Sequence, residues 1–322
     1  MPGVPPARYA YLGPEGTFTE AALRSVPAAA KAELQAEPSV AAALDTVRRG
    51  DADGAMVPIE SSVEGPVAAT LDELASGQPL MVTREVLLPI SFALMARKDT
   101  GLHAVRRVGT HPHAAAQCRR WLSVAVPEAV VVPTLSTAAA AAGLAGGTDD
   151  YDAAIAAPIA AERYRLSLLA ADIEDNPEAV TRFVLVGRPS EPPLPSGRDK
   201  TSLVAFIADD HPGALLEVLT EFSVRGVNLS RIESRPTGQG MGRYSFSIDC
   251  EGHVDDARVG EALMGLRRVC PDVRFLGSYP RAEAGGAGAS STDRGAADAA
   301  AKDDAVYRDA AAWLGRIRSG RV

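Results

Sequence analysis

Residues 201–236, TSLVAFIADDHPGALLEVLTEFSVRGVNLSRIESRP, show a pattern from which the fold of the C-terminal part of the chain can be predicted. Residues 201–208 alternate apolar and polar side chains, as a half-buried strand does. Pro212 then opens a helix with apolar residues on one face, and Gly226 is well placed to end it. A second strand is predicted over residues 228–235. The segment is therefore predicted to form a strand, a helix and a second strand.

The following residues repeat this unit in the order strand, helix, strand. A glycine-rich turn leads to a predicted strand over residues 243–250. Val259, Leu263 and Leu266 mark a second helix, and residues 273–279 form a last strand. The order βαββαβ predicts a ferredoxin-like split unit.

Two breaks in composition predict how the chain divides. Residues 188–199, RPSEPPLPSGRD, are dense in proline, glycine and serine, as linkers are. Residues 282–300, AEAGGAGASSTDRGAADAA, form a low-complexity segment. We predict one region at 8–188, a linker at 189–200, a domain at 201–280 and a tail at 281–322. The tail has a possible helix over residues 299–318 and balanced charges, which do not support a membrane anchor.

Bulk composition excludes several classes of protein. The length of 322 residues predicts two or three domains, and the net charge of −8 argues against a nucleic-acid partner. The three widely spaced cysteines indicate a reducing compartment. The close pair His111 and His113 lacks neighbouring ligands, so no metal site is expected. No run of 18 apolar residues and no signal-peptide core occur, which predicts a cytoplasmic protein without a membrane partner.

The region at 8–188 alternates short apolar strands with helices, which predicts an α/β fold. Strands are predicted at residues 9–12, 54–59, 80–86, 90–96, 107–109, 130–133 and 153–156, and helices at residues 19–25, 40–49, 67–76, 114–122 and 136–144. Ligands of such sheets lie at the carboxyl ends of the parallel strands, so the polar residues that follow the strands are candidates for a site.

Four helices of this region have hydroxyl-rich entrances, within residues 11–23, 56–74, 109–118 and 134–144. Ordinary helix capping explains each entrance alone. Four together favour a cleft in which neutral donors hold carboxylates, and such a cleft suits a small di-acid better than a nucleotide. The candidate binding residues are Thr17, Thr19, Glu60, Ser61, Ser62, Thr110, His111, Ser136 and Thr137.

The strand at residues 180–186 begins with Thr181, Arg182 and Phe183, directly before the linker. Alternation places Thr181 and Phe183 on one face and Arg182 on the other. Thr181 lies at the start of its strand, whereas clefts form at the carboxyl ends of parallel strands. We therefore expect this strand to run antiparallel to its neighbours, which would bring Thr181 to the cleft.

These segments together resemble the prephenate dehydratases, which make phenylpyruvate for phenylalanine synthesis. The matching pieces are GPEGTFT (13–19), PIESS (58–62), HP (111–112) and TRF (181–183). Residues 201–280, with GALL (213–216) and ESRP (233–236), look like the ACT regulatory domain of that family. One residue departs from the pattern, because the family usually has asparagine where this chain has Ser61.

The resemblance implies a fold and a reaction. The fold would be an α/β catalytic region like type II periplasmic binding proteins, with two subdomains flanking a cleft, followed by a ferredoxin-like βαββαβ ACT domain. The chain would cross between the subdomains near residues 86–90 and 170–175. The reaction would remove water and carbon dioxide from prephenate without a cofactor. Thr181 would be the leading catalytic residue, and Arg182 and Phe183 would complete its motif.

The ACT domain implies L-phenylalanine as an allosteric inhibitor bound at a subunit interface, in a homodimer or dimer of dimers joined through these domains. The effector residues would be Gly213, Ala214, Leu215, Asn228, Glu233 and Ser234. Three other hypotheses for the function of the chain remain open. One is an arogenate dehydratase, whose substrate carries an amino group on the side chain. The others are a non-catalytic amino-acid sensor and an interaction module that uses the tail helix.

Overall fold

The computed structural model describes residues 6–207, 211–238, 244–282 and 291–319. Its contacts divide the chain into two compact units. The first unit contains Met1–Thr70 and Val86–Leu185, and the second contains Leu71–Glu85 and Val186–Val322.

The elements up to the linker alternate as the sequence predicts. In chain order they are β1 (Arg8–Leu12), α1 (Phe18–Arg24), β2 (Glu33–Glu37), α2 (Val40–Arg49), β3 (Gly54–Ser61), β4 (Gly65–Pro66), α3 (Ala68–Ala75), β5 (Met81–Pro89), β6 (Ala93–Ala96), β7 (Arg107–Thr110), α4 (Pro112–Gln117), α5 (Arg119–Ala125), β8 (Val130–Pro133), α6 (Thr137–Ala145), β9 (Ala153–Ala156), α7 (Pro158–Tyr164), β10 (Ser167–Ala170) and β11 (Val180–Gly187). Two short 3₁₀ turns lie at Pro27–Lys31 and Leu102–Ala104.

The first lobe is built on a sheet of order β2-β1-β3-β11-β5, with β4 paired to β3. β1 runs parallel to both β2 and β3, so Tyr11 lies between Ala36 and Met56 in register. Tyr11, Met56 and Phe183 share one apolar cluster with Leu23 of α1. The sheet thus brings the carboxyl ends of β1 and β3 to one edge.

The second lobe is built on a sheet of order β10-β6-β9-β7-β8. β7 runs parallel to β8 and β9, whereas β6 runs antiparallel to β9. The Tyr151 ring lies against Gly109, where a Cβ would stand 2.7 Å from the ring, and its hydroxyl donates to the Ala140 carbonyl at 2.9 Å. Gly109 is therefore required so that a tyrosine can pack over the end of β7.

The chain crosses between the lobes twice. It leaves the first lobe after β5, between Ile90 and Phe92, and returns between β10 and β11. The two crossings lie side by side, because the Ile90 N–H donates to the Ala179 carbonyl at 2.8 Å. The two-lobed, type II periplasmic-binding-protein-like fold is confirmed. The first crossing begins at residue 90 rather than 86, because β5 continues to Pro89.

One predicted helix is wrong in its extent. Residues 114–122 were expected to form a single helix, but α4 ends at Gln117 and α5 begins at Arg119. Cys118 interrupts the helix with φ −114° and ψ 15°, and its side chain is fully buried in the core of the second lobe. Burial of this thiol in place of the continued helix explains the break. β2, α7 and β10 were not predicted from the sequence.

The second unit contains the predicted βαββαβ order. Its elements are β12 (Asp199–Phe206), α8 (Ala214–Ser223), β13 (Leu229–Pro236), β14 (Tyr244–Glu251), α9 (Ala257–Val269), β15 (Asp272–Pro280) and α10 (Ser291–Arg318). The sheet has the order β13-β14-β12-β15 with antiparallel pairs throughout. Leu203, Phe246 and Ile248 pack against Phe222 of α8 and Leu266 of α9. The ferredoxin-like fold of this region is confirmed.

Residues 71–85 belong to the second unit through specific contacts. The Lys200 ammonium lies 2.8 Å from the Glu85 carboxylate, and both side chains are buried. Arg235 donates two hydrogen bonds to Asp72, at 3.0 and 2.6 Å, and Arg274 donates to the Ser76 carbonyl at 2.7 Å. We continue to propose that the N-terminal region ends at residue 188 and that the C-terminal domain begins at residue 201.

The tail helix α10 begins at Ser291, eight residues before the predicted start at 299. It packs against α9, and the buried Asp304 carboxylate accepts from the Arg258 N–H at 3.0 Å. Across the part of the chain that the structure describes, no helix has both the length and the apolar character needed to span a bilayer.

Candidate active site

The start of β11 meets the end of β3 at the edge of the first lobe. The Ser62 N–H donates to the Val180 carbonyl at 2.9 Å, and the Val180 N–H donates to the Ser62 hydroxyl at 3.0 Å. The end of β5 meets the same point through Ile90 and Ala179. β11 therefore runs antiparallel to both neighbours, as the position of Thr181 in the sequence predicts.

The three residues of the TRF motif have different environments. Phe183 is buried in the apolar cluster of the first lobe. Arg182 is 5% exposed, and its Nη1 lies 3.6 Å from the Glu60 carboxylate, so the buried cation has a charge partner in β3. Thr181 is half-buried at the strand start. The motif thus supplies an apolar contact, a paired cation and a hydroxyl within three residues.

The turn after β3 is organised by Ser61 and Ser62. The Ser61 hydroxyl oxygen accepts from the N–H groups of Val63 and Glu64, at 3.2 and 3.3 Å. Both bonds use the oxygen as acceptor, so the hydroxyl hydrogen is left to donate. An asparagine side-chain oxygen makes the same kind of turn. Ser61 therefore fulfils the turn-forming part of an asparagine's role, but it offers one donor hydrogen instead of two.

The turn after β1 is organised by Thr17 and Glu20. The Thr17 hydroxyl caps α1, accepting from the Glu20 N–H at 3.3 Å and donating to the Leu12 carbonyl at 3.2 Å. The buried Glu20 carboxylate accepts from the Gly16 N–H at 2.6 Å and from Arg24. Thr19 is buried within α1. This geometry assigns Thr17 to capping, and its hydroxyl hydrogen is already donated within the turn.

The candidates after β7 also serve the local structure. The Thr110 hydroxyl is fully buried and donates to the Ile155 carbonyl at 2.8 Å. His111 caps α4, because its Nδ1 accepts from the His113 N–H at 3.3 Å. Burial lowers the pKa of His111, the neighbouring His113 lowers it further, and Glu64 opposes the shift. The lowered pKa favours the neutral imidazole, whose Nδ1 can accept the capping hydrogen bond.

Ser136 and Thr137 stand at the entrance of α6. The Ser136 hydroxyl accepts from the Ala139 N–H at 3.0 Å, which is an N-cap. Thr134 donates to the Ser136 carbonyl at 2.9 Å in the same loop. The hydrogen bonds of this entrance that involve described residues stay within the second lobe.

Among the described residues, three sets of contacts join side chains of the two lobes. The Glu64 carboxylate lies 3.5 Å from the His113 Nδ1 and accepts from the Gln117 amide at 3.3 Å. At the second place Glu15 accepts from the Arg163 guanidinium at 2.7 Å, and its carbonyl accepts from the Tyr164 hydroxyl at 2.7 Å. At the third, the Phe18 and Phe92 rings meet edge to face with centroids 5.3 Å apart. These contacts hold the lobes together around the polar loops.

Some of these site residues could have been predicted from local sequence patterns, and others could not. Glu20 lies three residues after the capping threonine, so the capping-box pattern could have indicated it. Glu15 and Arg163 are 148 residues apart, and Glu64 and Gln117 are 53 apart. Contacts of that separation leave no local pattern in one sequence. The contact of His113 with Glu64, over 49 residues, was likewise not predicted.

Two ionisable side chains lie in the apolar cores of the two lobes, Tyr11 in the first and Cys118 in the second. Burial raises the pKa of Tyr11, and Glu20 and Glu15 raise it further. Burial raises the pKa of the Cys118 thiol to about 12, so this thiol stays protonated at neutral pH. Among the described residues, no group of three or more histidine, cysteine or acidic side chains is placed to hold a metal ion.

The second unit contains a cavity of about 390 Å³ beside α8. Its lining is mainly apolar and comprises Ile207, His211, Gly213, Ala214, Leu215, Leu216, Leu219, Tyr244 and Phe246. Three of the predicted effector residues, Gly213, Ala214 and Leu215, are therefore in the lining. Gly213 has φ +98° at the N-cap of α8, a left-handed conformation that favours glycine.

The other three predicted effector residues lie on or before β13, an edge strand. Ser234 is the register partner of the cavity-lining Phe246, so it lies on the cavity's face of the sheet. Glu233 pairs with Ser247 and points to the opposite face. Asn228 is exposed in the loop before β13. The cavity lining thus includes the three predicted effector residues at the start of α8 and none of Asn228, Glu233 and Ser234.

Comparison with known protein families accounts for nearly the whole chain. A family model described as prephenate dehydratase matches residues 9–191, and one described as ACT domain matches residues 202–268. The prephenate dehydratase of Amycolatopsis methanolica is 48% identical over 98% of this chain and 99% of its own length.

Solved structures give the same result. The prephenate dehydratase of Arthrobacter aurescens, solved in complex with L-Phe, is 51% identical with a TM-score of 0.87, over 97% of this chain and 100% of that one. A quorum-quenching acylase, GqqA, is 28% identical with a TM-score of 0.76, over 85% of this chain and 98% of that one. The fold is therefore shared by proteins named for two different reactions.

Proposed function

The chain belongs to the prephenate dehydratase family, and from that premise we propose that it converts prephenate to phenylpyruvate in L-phenylalanine biosynthesis. In this reaction the ring C–O bond and the bond to the ring carboxylate break. The electron pair of the second bond completes the aromatic ring, carbon dioxide departs, and the leaving hydroxyl becomes water with one proton. The proposed activity is that of a carbon–oxygen lyase.

One observation carries the proposal. The two hydrogen bonds between Ser62 and Val180 place the start of β11 beside the turn that follows β3. Thr181 is the next residue, and in this proposal its hydroxyl faces the edge where parallel α/β sheets bind ligands. A hydroxyl aimed at the leaving oxygen stabilises the charge that develops as the C–O bond breaks.

The neighbouring residues have supporting roles in this proposal. The Arg182 cation is neutralised in part by Glu60, and together they present a fixed, paired charge near the substrate. Ser61 and Ser62 supply neutral donors at the turn, while Phe183 fixes β11 in the core. The other candidate residues then act mainly by stabilising the helix entrances and strands that contain them. These residues are Thr17, Thr19, Thr110, His111, Ser136 and Thr137.

Replacing Thr181 tests the proposal. Thr181→Ala should lower kcat by roughly 10²- to 10⁴-fold, the usual contribution of acid assistance, while Tm changes little because the side chain is half-buried. Thr181→Ser keeps a hydroxyl and should retain more activity than Thr181→Val, which keeps the shape alone. Equal activity of the serine and valine variants would contradict the role of the hydroxyl.

The acylase reaction is the rival that the structural comparison raises. Acyl transfer by a covalent route requires an activated nucleophile. Cys118, which lies between α4 and α5, is fully buried, and burial raises its pKa to about 12, which disfavours that route. The relatives with higher identity are named prephenate dehydratase, at 48% and 51% against 28%. Both observations favour the dehydratase.

Regulation by L-phenylalanine is the second part of the proposal. The cavity beside α8 has a volume of about 390 Å³, within the range of small-molecule sites, and its apolar lining suits an aromatic side chain. The Arthrobacter aurescens relative was solved with L-Phe. We propose that L-phenylalanine binds here and favours a less active state, in a cytoplasmic homo-oligomer whose ACT domains pair.

A further inference from the structure

The C-terminal half of α10 extends beyond the part that packs on the fold. Asp304 is buried, and the Tyr307 hydroxyl donates to the Val224 carbonyl at 3.4 Å. From Arg308 to Arg318 every residue is exposed, over roughly 16 Å at 1.5 Å per residue. In proteins most of the stability of a helix comes from packing of its apolar face, and within the described chain this last part of the 28-residue α10 has no such packing. Its stability therefore calls for a covering surface.

Four apolar residues form a stripe along this segment. Val306, Ala310, Trp313 and Ile317 are spaced by four, three and four residues, which places them on one face. Val306 is 68% exposed, Trp313 55% and Ile317 40%. Single exposed apolar residues are ordinary, but a continuous row of this kind marks an interaction site. We call these four residues the α10 stripe.

Charges beside the α10 stripe indicate what covers it. Asp309 and Arg316 are seven residues apart, so they flank the stripe on the same side. Arg308 is bound to Asp304 at 3.0 Å, whereas within the described chain neither Asp309 nor Arg316 forms an ion pair. If a second copy of this helix packs antiparallel to the first, the same flanks of the two helices meet. The acidic residue of each copy then lies near the basic residue of the other.

We propose that the α10 stripe docks onto the α10 stripe of a second copy of this chain, antiparallel about a two-fold axis. Val306 then lies opposite Ile317 of the second copy, and Ala310 lies opposite Trp313. Asp309 falls within two residues, or about 3 Å of rise, of Arg316 of the second copy. The axis repeats both contacts, as in any isologous interface. This contact is separate from the proposed pairing of ACT domains.

Disulfide trapping tests the contact directly. All three native cysteines are buried, so a disulfide formed under mild oxidation involves the thiol introduced on α10. Ala310→Cys places a thiol on the stripe, whereas Ala312→Cys places one on the far side of the same helix. Under mild oxidation the first variant should form a disulfide-linked dimer at least about tenfold faster than the second, because only its thiols lie on the facing surfaces, offset by about 4.5 Å of rise, within reach of small helix movements. Equal rates in the two variants would overturn the proposal.

Charge reversal in the Ala310→Cys background tests the antiparallel arrangement. Asp309→Arg and Arg316→Asp should each slow dimer formation, because each places like charges together. The double variant should restore the rate. If the double variant is as slow as the single ones, the antiparallel pairing is wrong. Far-UV circular dichroism checks that helix content is unchanged, and neither readout depends on catalysis.

Discussion

At the residue scale, polar side chains at helix entrances serve first as caps. Thr17, His111 and Ser136 each accept from a backbone N–H of the helix that they precede. The sequence predicts their positions, because capping preference is local. It cannot separate capping from ligand binding, since the same geometry serves both. The hydrogen bond from the Thr110 hydroxyl to the Ile155 carbonyl joins residues 45 positions apart, so no local sequence pattern predicts it.

His111 makes the stability of α4 depend on pH. Its pKa is lowered from 6.5 by burial and by His113, against the opposing effect of Glu64, so the folded chain binds fewer protons there than the unfolded chain. Stability therefore rises with pH through this range and is lost as pH falls below about 6.5, through the lower folded pKa. Protonation also removes the Nδ1 acceptor of the cap.

Thermal melts between pH 7.5 and 5 test this. His111→Asn keeps a good N-cap that does not titrate. The wild type should lose more Tm than this variant as the pH falls. Parallel loss in the two proteins would show that His111 does not carry the effect.

At the element scale, the direction of β11 was predictable and the break after α4 was not. Thr181 at a strand start implied an antiparallel strand, and the contacts of Val180 with Ser62 confirm it. The alanine-rich run at residues 113–117 favours helix throughout, so the break depends on burying Cys118. β2 was missed because it is an edge strand of mixed polarity, ELQAE.

The turn between β3 and β4 also links the lobes through Glu64. Glu64→Ala removes the contacts with His113 and Gln117. Exposed contacts contribute about 0.2–1 kcal/mol each, so KM for prephenate should rise roughly 2- to 10-fold with little change in kcat. Steady-state kinetics measure both. Glu128→Ala is the matched control, because it removes an exposed ion pair with Arg106 elsewhere in the second lobe. A fall in kcat at constant KM would contradict a role in holding the lobes.

At the scale of the whole molecule, composition marks the proline-rich linker clearly. Periodicity predicts the βαββαβ unit after it and an α/β region before it, whereas the two-lobed arrangement of that region was implied only by the family resemblance. The assignment of residues 71–85 to the second unit was not predictable. Its contacts, such as Lys200 with Glu85 and Arg274 with Ser76, join residues 115 and 198 positions apart. No local pattern in one sequence encodes such pairs.

Regulation is also a property of the whole molecule. L-phenylalanine should lower the rate and raise Tm, because a ligand that binds only the folded state stabilises it. Gly213→Val puts a β-branched residue at φ +98° in the cavity lining and should weaken inhibition at least about tenfold through backbone strain. Gly197→Val is the control, with φ +81° and open space around it in the linker. Normal inhibition of Gly213→Val would show that the effector binds elsewhere.

The proposed activity itself is tested most directly by the choice of substrate. Purified chain would be incubated with prephenate and, separately, with arogenate, and the aromatic product followed by ultraviolet absorbance. We predict formation of phenylpyruvate from prephenate and a much lower rate with arogenate. A preference for arogenate would make the chain an arogenate dehydratase. Turnover of neither substrate would contradict the enzymatic account and favour an amino-acid sensor.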